Sequence, residues 1–314
     1  MRHILAAVLL TSVYQTASAQ SLLETFGSGE NQFTMEFVTI GNPGNVADTT
    51  GSPNPAGSVA YTYNIGKYEV SIDQIQKASA IRAGNLGITM SDMTNYGGMG
   101  LLKPATGISY VEAAKFVNYL CTSTGGTAAY KIDYAGTFQL WSAGDAGYNA
   151  SNMFRNSLAK YWLPSTDEWY KAAYGKADGS WSNFPNGTDY APTPVARGTA
   201  AFTAVYGQSA STGPADINNA GGLSSYGTMG QGGNVSELLE TAYDGINNSP
   251  VENRELRGGQ WTSGTSVLVA SYRFDINPLY EVYGFRVAGV PEPSALSLLA
   301  IGLSGLVMMR RRRS

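Results

Sequence analysis

The sequence has 314 residues, of which 14% are charged, with 38 glycines, 20 tyrosines and a formal net charge of −3 at pH 7. Sparse charge and abundant aromatic residues exclude an intrinsically disordered chain. Residues 20–290, without the two ends, keep 15 of 20 basic and 22 of 23 acidic residues, so the net charge there is −7. Such an acidic surface excludes binding to nucleic acid or anionic lipid, which require a basic footprint.

Residues 1–19 have the pattern of a secretory signal peptide. Arg2 precedes an apolar run at residues 4–13, and small residues at 17–19 form a cleavage site. The run is too short for a membrane span, which needs about 20 residues. The only histidine, His3, lies in this leader. The mature chain therefore has no imidazole for general-base catalysis or for holding zinc or iron.

Three capping boxes predict three helices. In each, a serine is followed three residues later by Gln or Glu, so side chain and backbone can satisfy each other's N–H groups. The predicted helices are residues 72–81 after Ser71, 110–121 after Ser109 and 166–174 after Ser165.

Short strands are predicted at residues 35–40, 60–70, 266–274 and 283–289. The segments between them are rich in glycine, proline and asparagine, which favour turns. The pattern indicates an α+β domain with long packed loops and little regular secondary structure.

The single cysteine, Cys121, ends the second predicted helix. Phe116, Val117 and Leu120 lie beside it or at helical spacing, which predicts a small buried core residue. A free reactive thiol or an intermolecular disulfide is the alternative. An intrachain disulfide is excluded because there is no second cysteine.

The C-terminal residues 291–314 have three parts. Pro291, Glu292 and Pro293 precede an apolar run at 295–309 and a cluster of four arginines. This order resembles the PEP-CTERM sorting signal, whose tail a membrane exosortase removes. The resemblance implies exosortase as a partner, transient anchoring through a short transmembrane helix, and export across the inner membrane of a Gram-negative-type bacterium to the cell surface or extracellular matrix. An ordinary C-terminal anchor is the alternative.

Six phrases occur in this order between residues 33 and 289: YNIGKYEVSIDQI, ATGISYVEAAKFVNYLC, YWLPSTDEWYKAAYG, GGNVSELLE, RGGQW and GFRVAG. Together they resemble, in family order, the sulfatase-modifying-factor domain, which is the domain of formylglycine-generating enzyme. The resemblance implies one domain over residues 20–290, with the loop-rich, C-type-lectin-like α+β fold of that family.

The enzyme of this family oxidises a cysteine by means of copper held by two cysteines, and the resemblance places those cysteines at Ser263 and Leu268. Copper(I) binds soft thiolates, whereas a serine hydroxyl is a hard neutral donor and leucine offers no ligand. Formylglycine-generating activity is therefore not expected, and no catalytic residue is assigned.

The resemblance also implies a calcium site formed by the carbonyl oxygens of Gly233 and Val235 and the carboxylate of Glu237. Gly230 stands where the family has an Asp or Asn, so one side-chain ligand is missing. Calcium requires six to eight oxygen ligands. Calcium is the one possible cofactor, and the alternative is that Glu237 is a buried carboxylate satisfied by protein groups.

Two functions fit these observations. The first is a non-catalytic binding or structural module whose partner is an exopolysaccharide or a surface protein, because aromatic rings and amides suit sugars. The alternative is an enzyme of unrecognised chemistry on the same fold, a metal-dependent oxidase or hydrolase that uses Asp, Glu, Tyr and Ser.

Overall fold

A computed structural model describes residues 21–81, 86–276 and 283–291. The predicted signal peptide lies outside these residues, as does the tail beyond Pro291. Three α-helices occur in the described part of the chain: α1 Ile72–Ile81, α2 Tyr110–Ser123 and α3 Thr166–Tyr174. None of these helices is long and apolar enough to cross a membrane.

Each helix begins at its predicted capping box. At α2, Ser109 Oγ accepts a hydrogen bond from the Glu112 backbone N–H and the Glu112 carboxylate accepts one from the Ser109 N–H. Ser165 and Glu168 make the same pair of bonds at α3. The three helix predictions are confirmed. They could be made from the sequence because a capping box involves only residues within one helical turn.

The strands among the described residues are short. In chain order they are β1 Ser21–Phe26, β2 Phe33–Ile40, β3 Tyr63–Gly66, β4 Lys131–Ile132, β5 Phe138–Gln139, β6 Tyr161–Trp162, β7 Thr193–Pro194, β8 Thr203–Ala204, β9 Glu237–Ala242, β10 Arg254–Arg257, β11 Phe274–Ile276 and β12 Ala288–Gly289. Five of them form an antiparallel sheet in the order β1-β2-β3-β12-β6. A second antiparallel sheet has the order β11-β10-β9.

The strand predictions have mixed outcomes. The prediction at 35–40 is confirmed within β2, while only β3 and β12 form within 60–70 and 283–289. The prediction at 266–274 is wrong, because a 3-10 turn and bends occupy that segment up to Phe274.

Side chains from distant parts of the sequence donate hydrogen bonds to backbone carbonyl groups of residues 266–274. In a strand, these carbonyl groups would accept hydrogen bonds from a neighbouring strand. The Tyr174 hydroxyl donates to the carbonyl of Leu268 at 3.1 Å. Arg257 Nη1 donates to the carbonyls of Ala270 and Tyr272, each at 3.3 Å. Leu268 and Ala270 are therefore buried in loop conformation rather than in a sheet.

The main hydrophobic core lies between the five-stranded sheet and helices α1 and α2. Cys121 is fully buried there, and its Sγ donates to the carbonyl of Tyr161 at 3.3 Å. Burial raises the pKa of the Cys121 thiol. The prediction of a buried core cysteine is confirmed.

Candidate functional site

Three of the phrases that carry the resemblance meet at one buried charged centre. Arg286 Nε and Nη2 donate to the two carboxylate oxygens of Glu237 at 2.6 and 2.5 Å. Trp169 Nε1 donates to Glu237 Oε2 at 2.8 Å. All three side chains are fully buried. We call Arg286, Glu237 and Trp169 the pinned centre.

The remaining donors of Arg286 hold two loops. Nη1 donates to the carbonyl of Gly66 at 2.8 Å, and Nη2 donates to the carbonyl of Met229 at 2.9 Å. A guanidinium has five N–H donors and no acceptor, so it can bind several carbonyls together with one carboxylate. Through Arg286, the pinned centre therefore fixes the end of β3 at Gly66 and the loop that contains Met229.

A second carboxyl group, Glu69, lies next to this centre and was not singled out by the sequence. It accepts from Asn234 Nδ2 at 2.6 Å and from the Val235 N–H at 3.2 Å. Burial, together with the charge of Glu237, raises the pKa of Glu69 well above its ordinary value. A Cβ built on Gly230 would lie 3.1 Å from the Glu69 carboxyl, so Glu69 fills the space beside that glycine.

Of the predicted calcium ligands, Glu237 belongs to this centre, and its carboxylate oxygens already accept hydrogen bonds. Both oxygens of Glu237 are bound to Arg286, and calcium would have to displace that guanidinium. Among the described residues, no group of three His, Cys, Asp or Glu side chains is placed to hold a metal ion. As they lie, Gly233, Val235 and Glu237 do not offer the six to eight oxygens that calcium needs. Calcium binding stays a prediction for solution measurement.

The two positions matched to copper ligands have different surroundings. Leu268 is fully buried and packs with Phe184, Ala204 and Tyr206. Ser263 is half-buried, and its Oγ accepts from the Gln260 N–H at 2.9 Å within a tight turn. Leu268 is thus part of a packed cluster, and Ser263 is part of a turn.

Ser263 belongs to a surface formed by three loops, residues 93–100, 207–213 and 258–266. We call it the three-loop surface. The Gly207 N–H donates to the Ser263 carbonyl at 2.9 Å, and Trp261 Nε1 donates to the Ala210 carbonyl at 3.2 Å. These bonds join the second and third loops.

Glycine allows the first loop to approach the second. Gly97 and Gly213 both have positive φ, and a Cβ on Gly213 would lie 1.9 Å from the Tyr96 carbonyl oxygen. A side chain there would collide with backbone, so the contact between the loops requires glycine.

The three-loop surface contains no charged residue in any of its loops. Its exposed side chains include the Tyr96 ring, which is 45% exposed, and Met99, which is 40% exposed. The other exposed side chains are mainly hydroxyl groups, together with Asn95 and Ala210: Thr94, Ser209, Ser211, Thr212, Thr262 and Ser266. The Tyr96 ring lies 6.5 Å from the Trp261 ring. Neutral donors and acceptors beside aromatic rings are suited to uncharged polar ligands.

Comparison with known proteins identifies the family. The sulfatase-modifying factor enzyme 1-like domain matches residues 27–290. The chain belongs to this family. The PEP-CTERM protein-sorting motif matches residues 289–313, a range that includes Pro291, Glu292 and Pro293. This motif marks a protein that a Gram-negative-type bacterium exports to its surface and that an exosortase processes.

Solved structures share the fold at low sequence identity. Treponema denticola variable protein 1 has a TM-score of 0.58 at 20% identity, over 87% of this chain and 100% of that chain. CarF has a TM-score of 0.56 at 18% identity, covering 82% and 99%. PvdO from Pseudomonas aeruginosa has 0.53 at 15%, covering 85% and 98%. These similarities confirm the predicted loop-rich α+β, C-type-lectin-like fold. No curated protein matches the chain.

Proposed function

We propose that this family member is a non-catalytic binding module that acts at the cell surface or in the exopolysaccharide matrix. The observation that carries the proposal is the three-loop surface. It is uncharged and rich in hydroxyl groups, and it includes Ser263, the position matched to a copper-binding cysteine of the family's oxidase.

The chemistry of this surface supports a polysaccharide ligand. An uncharged surface avoids the cost of removing water from charged groups when a neutral ligand binds. Hydroxyl groups offer both a donor and acceptors, and the Tyr96 ring offers an apolar face. This combination fits a sugar chain better than a highly charged partner.

The alternative is an enzyme of unrecognised chemistry, a metal-dependent oxidase or hydrolase. Such an enzyme needs reactive groups at an accessible site, and no carboxylate lies in the three loops. Metal analysis of protein purified without a histidine tag tests this alternative directly. A stoichiometric transition metal in that protein would favour the oxidase.

The test of the binding proposal is co-sedimentation of the exported protein with the producer's own exopolysaccharide. We expect saturable binding, and we expect Thr262→Glu to weaken it at least tenfold by placing a charge on the three-loop surface. Ser151→Glu adds the same charge at an exposed serine outside the three loops and is the matched control. Absence of binding by the unmodified protein would contradict the matrix proposal.

Calcium is tested in the same experiment with and without EDTA. Binding that survives excess EDTA would remove calcium from the proposal. Binding that is lost in EDTA and restored by calcium would support the prediction at Gly233, Val235 and Glu237.

A further inference from the structure

A groove of about 360 Å³ lies between β2 and α1. Thr34 and Glu36 of β2 line one wall, and Asp73 and Lys77 of α1 line the other. The size falls within the roughly 300–1,000 Å³ that ligand sites in proteins occupy.

The groove has an apolar floor and apolar rims. Phe33 and Ile217 line it as buried residues, while Leu23 and Leu102 line it as exposed ones. Exposed leucines beside a concave surface give a ligand apolar area to cover. The groove therefore offers contact to a ligand that has an apolar face.

The charges along the groove are already neutralised. Lys77 Nζ lies 2.9 Å from Asp73 Oδ2, and Lys67 Nζ lies 2.9 Å from Glu36 Oε1. An anionic or cationic ligand would have to break one of these pairs to find its counter-charge. A ligand without net charge can instead use the carboxylate oxygens as additional hydrogen-bond acceptors.

Strand β2, which lines the groove, offers no free edge to an extended peptide. The free edge of the sheet nearest to β2 is on β1, of which only Leu23 lines the groove. Strand β2 is hydrogen-bonded to β1 on one side and to β3 on the other. At the start of α1, the Ser71 N–H is satisfied by Gln74 Oε1 at 2.9 Å. Recognition by strand addition requires a free row of backbone groups, so side chains must do the binding here.

We propose that this groove is a second binding site, specific for short neutral oligosaccharides. The polar groups that line the groove include the amides of exposed Gln32 and Asn218, the hydroxyl groups of Thr34 and Tyr68, and the paired carboxylates. Sugars combine hydroxyl groups with apolar C–H faces, which match this mixture of amides, acceptors and leucine. The inference does not depend on the three-loop surface.

The groove lies close to the three-loop surface along the chain. Tyr96 belongs to that surface and Leu102 lines the groove. They are six positions apart in the sequence, which places their Cα atoms at most about 22 Å apart. Short oligosaccharides are therefore the right probe, since a long polymer would contact both regions.

The experiment is calorimetric titration of the exported protein with cellotriose, maltotriose and mannotriose. We expect saturable binding of at least one of them. Leu102→Asp and Asn218→Ala should each weaken that binding at least tenfold. Leu158→Asp changes an exposed leucine outside the groove, and Thr262→Glu changes the three-loop surface, so both should leave it unchanged.

Four results would overturn the proposal. They are failure of all three trisaccharides to bind, binding unaffected by both groove variants, an equal loss in Leu158→Asp, and an equal loss in Thr262→Glu. Loss of exopolysaccharide co-sedimentation in Thr262→Glu alone concerns the three-loop surface, so failures of the two proposals are distinguishable.

Discussion

The pinned centre and the three-loop surface use opposite chemistry although both are built from loops. At the centre, Arg286 and Glu237 are fully buried charges that bind each other and the surrounding backbone. The three-loop surface has no charge, and its hydroxyl groups face solvent. Three of the six family phrases meet at the centre, and RGGQW enters the three-loop surface, so the resemblance mainly describes how the loops are held together. It says less about what the surface binds.

The pinned centre contains a buried arginine because regular hydrogen bonding between backbone groups is scarce in this fold. Most strands here are only two to six residues long, so many buried backbone carbonyls have no sheet partner. Buried carbonyls that lack a donor are costly. Arg286 and Arg257 supply donors to several carbonyls each, and this role requires their burial.

The largest effect is expected at the pinned centre. Arg286→Met removes the partner of a buried carboxylate and should lower the free energy of unfolding by about 3–5 kcal/mol. Urea unfolding of the exported protein measures this. Lys77→Met breaks the half-exposed pair with Asp73 and should cost about 0–1 kcal/mol. Similar losses in the two variants would contradict the structural role of Arg286.

A smaller loss of stability is expected when Leu268, the second position matched to a copper ligand, is shortened. Leu268→Ala removes a fully buried side chain and should cost about 2–4 kcal/mol in the same unfolding measurement. Val251→Ala, at a side chain that is 79% exposed, is the control and should change stability by less than about 0.5 kcal/mol. A neutral Leu268→Ala would mean that this position is not packed.

The third prediction concerns pH. Burial lowers the pKa of Lys171 from its ordinary value of 10.5 to about 8, and its ammonium donates to the Asn42 carbonyl at 2.8 Å. Between these two values the unfolded chain binds more protons, so stability should rise with pH above about 8.

The comparison for Lys171 is with Lys171→Met, which has no charge to lose. The stability difference between the two proteins should grow in favour of the lysine protein from pH 8 to pH 9.5, a range below the ordinary titration of tyrosine. A difference that stays constant over this range would show that Lys171 keeps its charge in the folded protein.

The smallest stability effect is expected on the three-loop surface itself. Thr262→Glu changes an exposed side chain and should alter the free energy of unfolding by less than about 0.5 kcal/mol. Exopolysaccharide binding should fall in the same variant. A large loss of stability would mean that Thr262 holds the loops together, and the contrast with the pinned centre would fail.

Local features were readable from the sequence. The helices after Ser71, Ser109 and Ser165 were predicted because a capping box acts within four residues. The strand predicted at 266–274 failed because Tyr174 and Arg257 take its carbonyl groups. Apolar content alone does not distinguish a strand from a buried loop.

The sequence by itself determined the family, the sorting signal, the three helices and the absence of a second cysteine. Only the tertiary structure decided that Glu237 faces Arg286, that Glu69 fills the space beside Gly230, and that residues of β2 and α1 line one groove. The reason is distance along the chain. Glu237 and Arg286 are 49 residues apart, and Glu69 and Asn234 are 165 apart. A local sequence pattern cannot predict such side-chain pairs, because they form only when the loops pack together.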